Sequence, residues 1–187
     1  MKMLASLVLF LALSSSGRAA APSASSIPNF VQVTPDLYRG GIPGADGIAY
    51  LAKIGVKTIL DMETTDSEIS SELETASALS ISVISLELPP LAFRPTTRRM
   101  NEVISVLKDP ANYPLFVHCK HGQDRTGVAI GLYRVYVQGW TPAAAYQEMI
   151  ERGFHPDSEI GLRCYFEKKT GLPVTPICAF IPAYDPK

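Results

Sequence analysis

The chain has 187 residues, 47% of them hydrophobic and 19% charged, enough for one compact domain and too apolar for intrinsic disorder. Seventeen Lys and Arg against eighteen Asp and Glu give a net charge of −1, which leaves no electrostatic footprint for bulk DNA or RNA binding. Three cysteines are too few for a disulfide scaffold, and no Walker loop, zinc-ligand spacing or dinucleotide fingerprint occurs.

Residues 1–21 read as a secretory signal peptide. Lys2 supplies the positive end, Leu4 to Leu13 an apolar run broken by Ser6, and Ala19 to Ala21 small residues for cleavage. The run is short for a membrane span, and no second membrane candidate follows. The expected product is secreted or periplasmic, of bacterial origin, with no stable span after cleavage. Loss of Lys2 and Arg18 leaves a charge of −3. Residues 22–29 are Ser/Pro-rich and are expected to be a flexible leader; residues 30–187 form a single domain.

The domain alternates strands and helices. Phe30–Val33 and Leu37–Arg39 read as short strands, followed by a turn over Gly40, Gly41, Pro43 and Gly44. Ala45–Ile54 is helical and stops at Gly55. Val56–Met62 is a β-branched strand. Asp66 can cap a helix over Ser67–Leu79, with Glu68 and Glu72 near its positive end. Ile81–Leu88 is a strand broken by Pro89 and Pro90. A helix opens at Thr96 or Thr97 and runs to Lys108. Leu115–His118 is a short buried strand. Thr126–Gln138 is a buried helix ended by Gly139. Thr141 and Pro142 open a helix to Arg152, and Asp157 or Ser158 caps a last helix to Lys169. The apolar, Pro-rich tail is expected on the surface. The order predicts an α/β fold, a central mostly parallel sheet flanked by helices. An exported protein favours paired cysteines. Cys164 and Cys178 either close a short loop or are two small buried hydrophobes.

The informative segment is His118-Cys119-Lys120-His121-Gly122-Gln123-Asp124-Arg125-Thr126-Gly127. A strand, a loop and a helix in this order turn successive backbone N–H groups around a concave nest for a tetrahedral oxyanion. Gly122 allows the tight loop. Arg125 offers a planar fork to two phosphate oxygens. Cys119 beneath this positive field is expected as a thiolate, a nucleophile in position.

This Cys-x5-Arg-Thr-Gly pattern with a preceding His resembles the cysteine-dependent phosphatases of the protein tyrosine phosphatase superfamily. Asn29-Phe30, Leu37-Tyr38-Arg39-Gly40-Gly41-Ile42-Pro43 and Gly55-Val56-Lys57-Thr58-Ile59-Leu60-Asp61 resemble the opening of the atypical dual-specificity phosphatases, over roughly residues 29–155 in all. The resemblance implies that Cys119 attacks phosphorus and forms a cysteinyl-phosphate, and that Arg125 stabilises the transferring group. Backbone amides from Lys120 through His121, Gly122 and Gln123 to Arg125 would hold its oxygens. The Thr126 hydroxyl would bond the thiolate, and His118 would order the loop and favour the ionised thiol. No metal or other cofactor is implied.

The general acid stays open. The superfamily usually carries an Asp on a separate loop before the cysteine, but Leu86 to Pro95 contains none. The candidates are Asp124, whose position also carries Asp in myotubularin-like phosphatases, then Glu87, then solvent. Lys120 and His121 on the loop, with Arg94, Arg98 and Arg99 after the proline pair, would suit a highly phosphorylated partner such as an inositol polyphosphate. The alternatives are a phosphotyrosine protein substrate, a non-catalytic phosphoryl-binding module and a sulfur transferase. Arg98 and Arg99 read equally as an ordinary solvated helix face. Phe154-His155-Pro156 reads as a connection.

Overall fold

The computed structural model describes residues 22–64, 66–89 and 93–184; the expected signal segment lies outside the described residues. Its main sheet contains β1 (Val31–Thr34), β2 (Leu37–Gly40), β3 (Thr58–Asp61), β4 (Ser82–Ser85) and β6 (Leu115–His118), in the order β1-β2-β6-β3-β4. The β1–β2 pair is antiparallel and the other pairs are parallel. A separate pair joins β5 (Arg94–Pro95) to β7 (Ala183–Tyr184). The helices are α1 (Gly44–Lys53), α2 (Asp66–Ala78), α3 (Thr97–Lys108), α4 (Asp124–Tyr136), α5 (Pro142–Glu151) and α6 (Ile160–Thr170). The expected α/β architecture holds. Among the described residues, no helix is long and apolar enough to cross a membrane.

Side-chain alternation along the buried strands divides the core in two. Ile59 and Phe116 pack with Ile48, Leu51 and Ala76 on the α1–α2 face. Leu37, Leu60, Leu115 and Val117 pack with α3, α4, α5 and α6 on the other. The same period of two places Arg39 on the α4–α5 side. It turns Asp61 and His118, which are register partners, toward α2. Helix α4 is buried from Arg125 to Arg134, which anchors the residues at its N-terminus.

Several expectations are corrected. The leader is packed: Ala24–Ser26 forms a 3-10 turn, Ile27 is 3% exposed, and Pro28 accepts the Gly41 amide. The strand expected to reach Leu88 ends at Ser85; beyond it the Leu86 and Leu88 amides donate to Asp61 and Met62. Asp157 and Ser158 do not cap α6, which starts after Glu159. Asp157 pairs with Arg163 and the Ser158 hydroxyl donates to the His155 carbonyl. The side chain of Asp66, the expected α2 cap, lies outside the described residues, as does that of Glu68. Thr96 and Thr141 do cap α3 and α5, accepting the Arg99 and Ala144 amides. Cys164 and Cys178 form a disulfide that ties the tail to α6.

Candidate active site

Cys119 follows the central strand of the sheet. It is a free, buried cysteine at the carboxyl ends of the parallel strands, where open α/β sheets place their ligands. The loop that follows is held from outside by its carbonyls. The Met62 amide donates to His118 O at 3.0 Å and the Ile42 amide to Lys120 O at 3.1 Å. Asn29 Nδ2 donates to His121 O at 2.9 Å, and Arg39 Nη2 to Gly122 O at 2.7 Å. With the carbonyls drawn outward, the amides of Lys120 to Gln123 have no acceptor among the described residues. Unpaired amides of this kind, running into the first turn of a helix, are the groups from which an anion nest is built. Gly122 is obligatory: φ is +73°, and a Cβ would lie 2.3 Å from the Gly40 carbonyl carbon.

Arg39 is 2% exposed and supports the loop from the α4–α5 side. Burial pulls its pKa down to about 10, partly countered by the charges of Glu148 and Cys119. Its guanidinium is thus a buried positive charge that interacts with the Cys119 side chain.

Arg125 uses only part of its guanidinium for contacts within the protein. Its Nη1 donates to Met62 O at 3.1 Å and to Glu63 Oε1 at 3.2 Å, and Nη2 to Glu63 Oε2 at 3.3 Å. Of the five N–H groups of a guanidinium, Nε–H and one on Nη2 have no partner among these contacts. Those two form one edge, the fork that two phosphate oxygens match. Burial alone would raise the Glu63 carboxyl. The Thr64 amide and Arg125 more than reverse this and hold it below its ordinary value.

Asp124 sits at the first position of α4. Its Oδ1 accepts the His155 amide at 2.9 Å and lies 3.1 Å from His155 Nδ1. The His155 side chain is 56% exposed against 15% for Asp124, so His155 links Asp124 to solvent. Gln123 packs on Gly153, where a Cβ would lie 2.6 Å from its Nε2. Glu87 is half-buried between Leu86 and Leu88, both of which pack into the core. The Thr126 hydroxyl is buried with no hydrogen-bond partner among the described residues, and it does not reach Cys119 Sγ in this structure.

Lys120 and His121 are exposed on the loop. The cations after the proline pair are placed differently. Arg98 and Arg99 both pair with Glu102 along α3, at 2.6 and 3.2 Å, the solvated-face arrangement for Arg98. Arg94 lies in β5, its amide donating to Pro182 O at 3.0 Å.

Behind Cys119, His118 is 1% exposed. Its Nε2 lies 3.0 Å from Glu72 Oε2 and 3.7 Å from Asp61 Oδ1, and Nδ1 lies 3.4 Å from the Cys119 carbonyl. Burial would lower the imidazole pKa, but Glu72 and Asp61 hold it above its ordinary value. Asp61 is itself pushed up by burial, against the pull of His118. Among the described residues this is the one group of metal-ligating side chains close enough to enclose an ion. Its imidazole nitrogen is already committed to Glu72, and we assign no metal to it.

A Cys-x5-Arg nest at the end of a central parallel strand, feeding a buried helix, defines the cysteine-phosphatase class of α/β proteins. Residues 22–159 match the family described as DSP-PTPase phosphatase fused to NAD+ kinase. The chain belongs to this family of protein-tyrosine-phosphatase-like, atypical dual-specificity phosphatases. It is 34% identical over 136 residues to dual specificity protein phosphatase TpbA of Pseudomonas aeruginosa, covering 71% of this chain and 58% of TpbA. It is 27% identical to inositol diphosphatase DSP5 of Arabidopsis thaliana, over 65% of this chain and 60% of DSP5. The chain thus spans about three fifths of the length of these curated relatives. The crystal structure of P. aeruginosa TpbA superposes with a TM-score of 0.63 at 32% identity, covering 82% of this chain and 91% of that one. The catalytic core of the Saccharomyces cerevisiae PP-IP phosphatase SIW14 shares the fold, with a TM-score of 0.64 at 20% identity over 76% and 88% of the two chains.

Five residues escaped the sequence reading. Arg39 had a signal, a charge inside an otherwise buried strand. Glu63 stands just past the carboxyl end of β3, beside the site. Glu72 reads as a helix-dipole residue, yet it is buried against His118. Asn29 and His155 carry no local signal, because their partners lie 92 and 31 residues away.

Proposed function

We propose that the chain is a metal-independent phosphomonoesterase working through a cysteinyl-phosphate, with inositol polyphosphates as its substrates. The carrying observation is Cys119 at the start of a loop whose amides have no acceptor among the described residues, with one edge of Arg125 uncommitted in its contacts with Met62 and Glu63. The Cys119 thiolate attacks phosphorus; the S–P bond forms as the P–O bond to the leaving group breaks. Arg125 and the nest amides hold the equatorial oxygens. The departing oxygen takes a proton from Asp124, which His155 connects to solvent; Glu87 is the alternative donor. Water then attacks the cysteinyl-phosphate, its proton passes to the base left on Asp124, and inorganic phosphate leaves with the thiolate restored. The Thr126 hydroxyl, buried without a hydrogen-bond partner among the described residues, would turn to bond the sulfur as it departs.

The inositol polyphosphate reading is supported by the exposed Lys120 and His121 beside the nest and by the plant inositol diphosphatase relatives. Export through residues 1–21 would place the enzyme outside the cytoplasm. A second reading, a phosphotyrosine protein substrate, is favoured by the similarity to TpbA. Phosphate release from inositol hexakisphosphate and from a phosphotyrosine peptide, in reductant and chelator, decides between them. Release dependent on Cys119 and mainly from the inositol phosphate is expected. Release mainly from the peptide overturns the substrate assignment. Silence of wild type and Cys119→Ser alike, with inositol hexakisphosphate still bound, makes the chain a phosphoryl-binding module.

A further inference from the structure

We propose that Glu72 is a positioning residue for the reaction: it holds His118 as an imidazolium directly behind Cys119 and so keeps the nucleophile ionised. His118 Nε2 faces the Glu72 carboxylate at 3.0 Å, and Nδ1 faces the Cys119 carbonyl at 3.4 Å. Both partners are acceptors, and an imidazole can donate from both nitrogens only when protonated. The ring is fixed in this orientation by Phe116, stacked on it with centroids 5.5 Å apart.

Register then explains why the charge lies where it does. Asp61 and His118 are paired positions on β3 and β6, and both point to the face covered by α2. Glu72 is the α2 residue that meets them, 46 positions from His118 in sequence. Among the described residues, the titratable groups facing His118 are Glu72 from α2 and Asp61 from β3, while Cys119 meets the ring through its backbone carbonyl. Asp61 is held up toward its neutral form by burial, which leaves Glu72 as the principal counter-ion. A buried imidazolium one residue from Cys119 acts in a medium that screens it poorly, so it favours the thiolate.

Glu72 also opens to solvent on the far side. It lines a cavity of about 210 Å³ between α1 and α2, together with Ile42, Ala45, Ser67, Ser71 and Thr75. A proton can therefore reach the pair without crossing the phosphate nest. This gives the nucleophile a support that enters from the opposite face to Arg39.

The inference rests on reading Cys119 as a nucleophilic thiolate, and the test reads that thiolate without a substrate. In the full chain Cys164 and Cys178 are joined, so iodoacetamide reports Cys119. The alkylation rate is followed against pH for wild type, Glu72→Gln and Glu72→Asp, with thermal melts alongside. Glu72→Gln is expected to raise the midpoint of alkylation by about one pH unit, and Glu72→Asp to restore most of it. A lowered melting temperature with an unmoved midpoint would leave Glu72 a structural role only and overturn the proposal. If Glu72→Gln does not fold, the His118 ring nitrogens are read by NMR in wild type. An imidazolium persisting above pH 7 supports the proposal, and a neutral ring overturns it. A normal alkylation shift in a protein that releases no phosphate would sink the phosphatase reading alone.

Discussion

Residues 118–126 and residues 86–89 with 93–95 would share one reaction, the first gripping the phosphoryl group and the second flanking the place where related phosphatases carry their acid. They are built on opposite plans. The phosphate loop is held at four carbonyls by Met62, Ile42, Asn29 and Arg39, and its helix is buried from Arg125 onward. The earlier segment leaves the sheet at Ser85 and meets the chain's own tail: the Arg94 amide donates to Pro182 O, and Phe93 lies 5.3 Å from Tyr184 between ring centroids. The loop carries its geometry in its own residue types, a glycine at a positive φ and an arginine at fixed spacing from the cysteine, although distant residues hold its carbonyls. A segment whose partner is the far end of the chain does not.

The sharpest way to break the contrast is Gly122→Ala. The positive φ and the 2.3 Å approach to Gly40 leave no room for a methyl group without moving backbone. Since misplacing a reacting group by about 1 Å costs about 100-fold, turnover should fall at least that far. Stability should fall by about 2 kcal/mol. Initial rates and urea melts check both. A rate near wild type would mean that the working loop has a different shape.

Next in size is the proton donor. Asp124→Asn is expected to slow release from phenyl phosphate about 100-fold and from p-nitrophenyl phosphate hardly at all, because only the poorer leaving group needs a proton. Glu87→Gln should change neither. The reverse pattern would return the acid to the segment before α3, as in related phosphatases.

These two variants also mark what the sequence makes legible. Cys119, Gly122, Arg125 and the strand–loop–helix around them follow from local rules: an apolar run, a glycine at a positive φ and an arginine at fixed spacing. Helix caps at Thr96 and Thr141 are equally local. The supports are not. Glu63, Glu72, Asn29 and His155 look like ordinary polar residues until β-register and helix packing bring them to the loop. Arg98 pairs with Glu102 along α3, the helix-face arrangement. Capping of α6 fails as an expectation because Asp157 finds Arg163 instead, a tertiary contact overriding a local preference.

A smaller effect is expected from Glu63→Gln. The carboxylate fixes one end of Arg125 and leaves the other edge for phosphate, so weakening the clamp should lower kcat about tenfold. It also has a pH signature. The Glu63 carboxyl lies below its ordinary value in the folded protein. Its stabilisation is therefore fully present above the unfolded value near pH 4.5 and is lost as pH falls through the folded one. Melting temperatures between pH 3 and 6 should drop less steeply in the variant. An identical slope would mean that the ion pair contributes nothing to folding.

The least effect on chemistry is expected from the disulfide, and it sharpens the comparison most directly. Cys164 and Cys178 are 14 residues apart, and closing a loop of that size stabilises by about 3 kcal/mol. The double variant Cys164→Ala, Cys178→Ala should lose about that much. The tail then has fewer anchors: the Lys168 amine on Cys178 O, Thr175 on Glu167 and the β5–β7 pair. Its hold on residues 93–95 weakens, while the carbonyl contacts of the phosphate loop, which involve no tail residue, stay as they are. Cys119 alkylation and p-nitrophenyl phosphate turnover should therefore match wild type, measured well below the lowered melting temperature. Any change should be confined to a few-fold loss on bulky natural substrates, which must pass the loosened segment. If alkylation and turnover fall together, the tail supports the nucleophile as well, and the two regions are one mechanical unit.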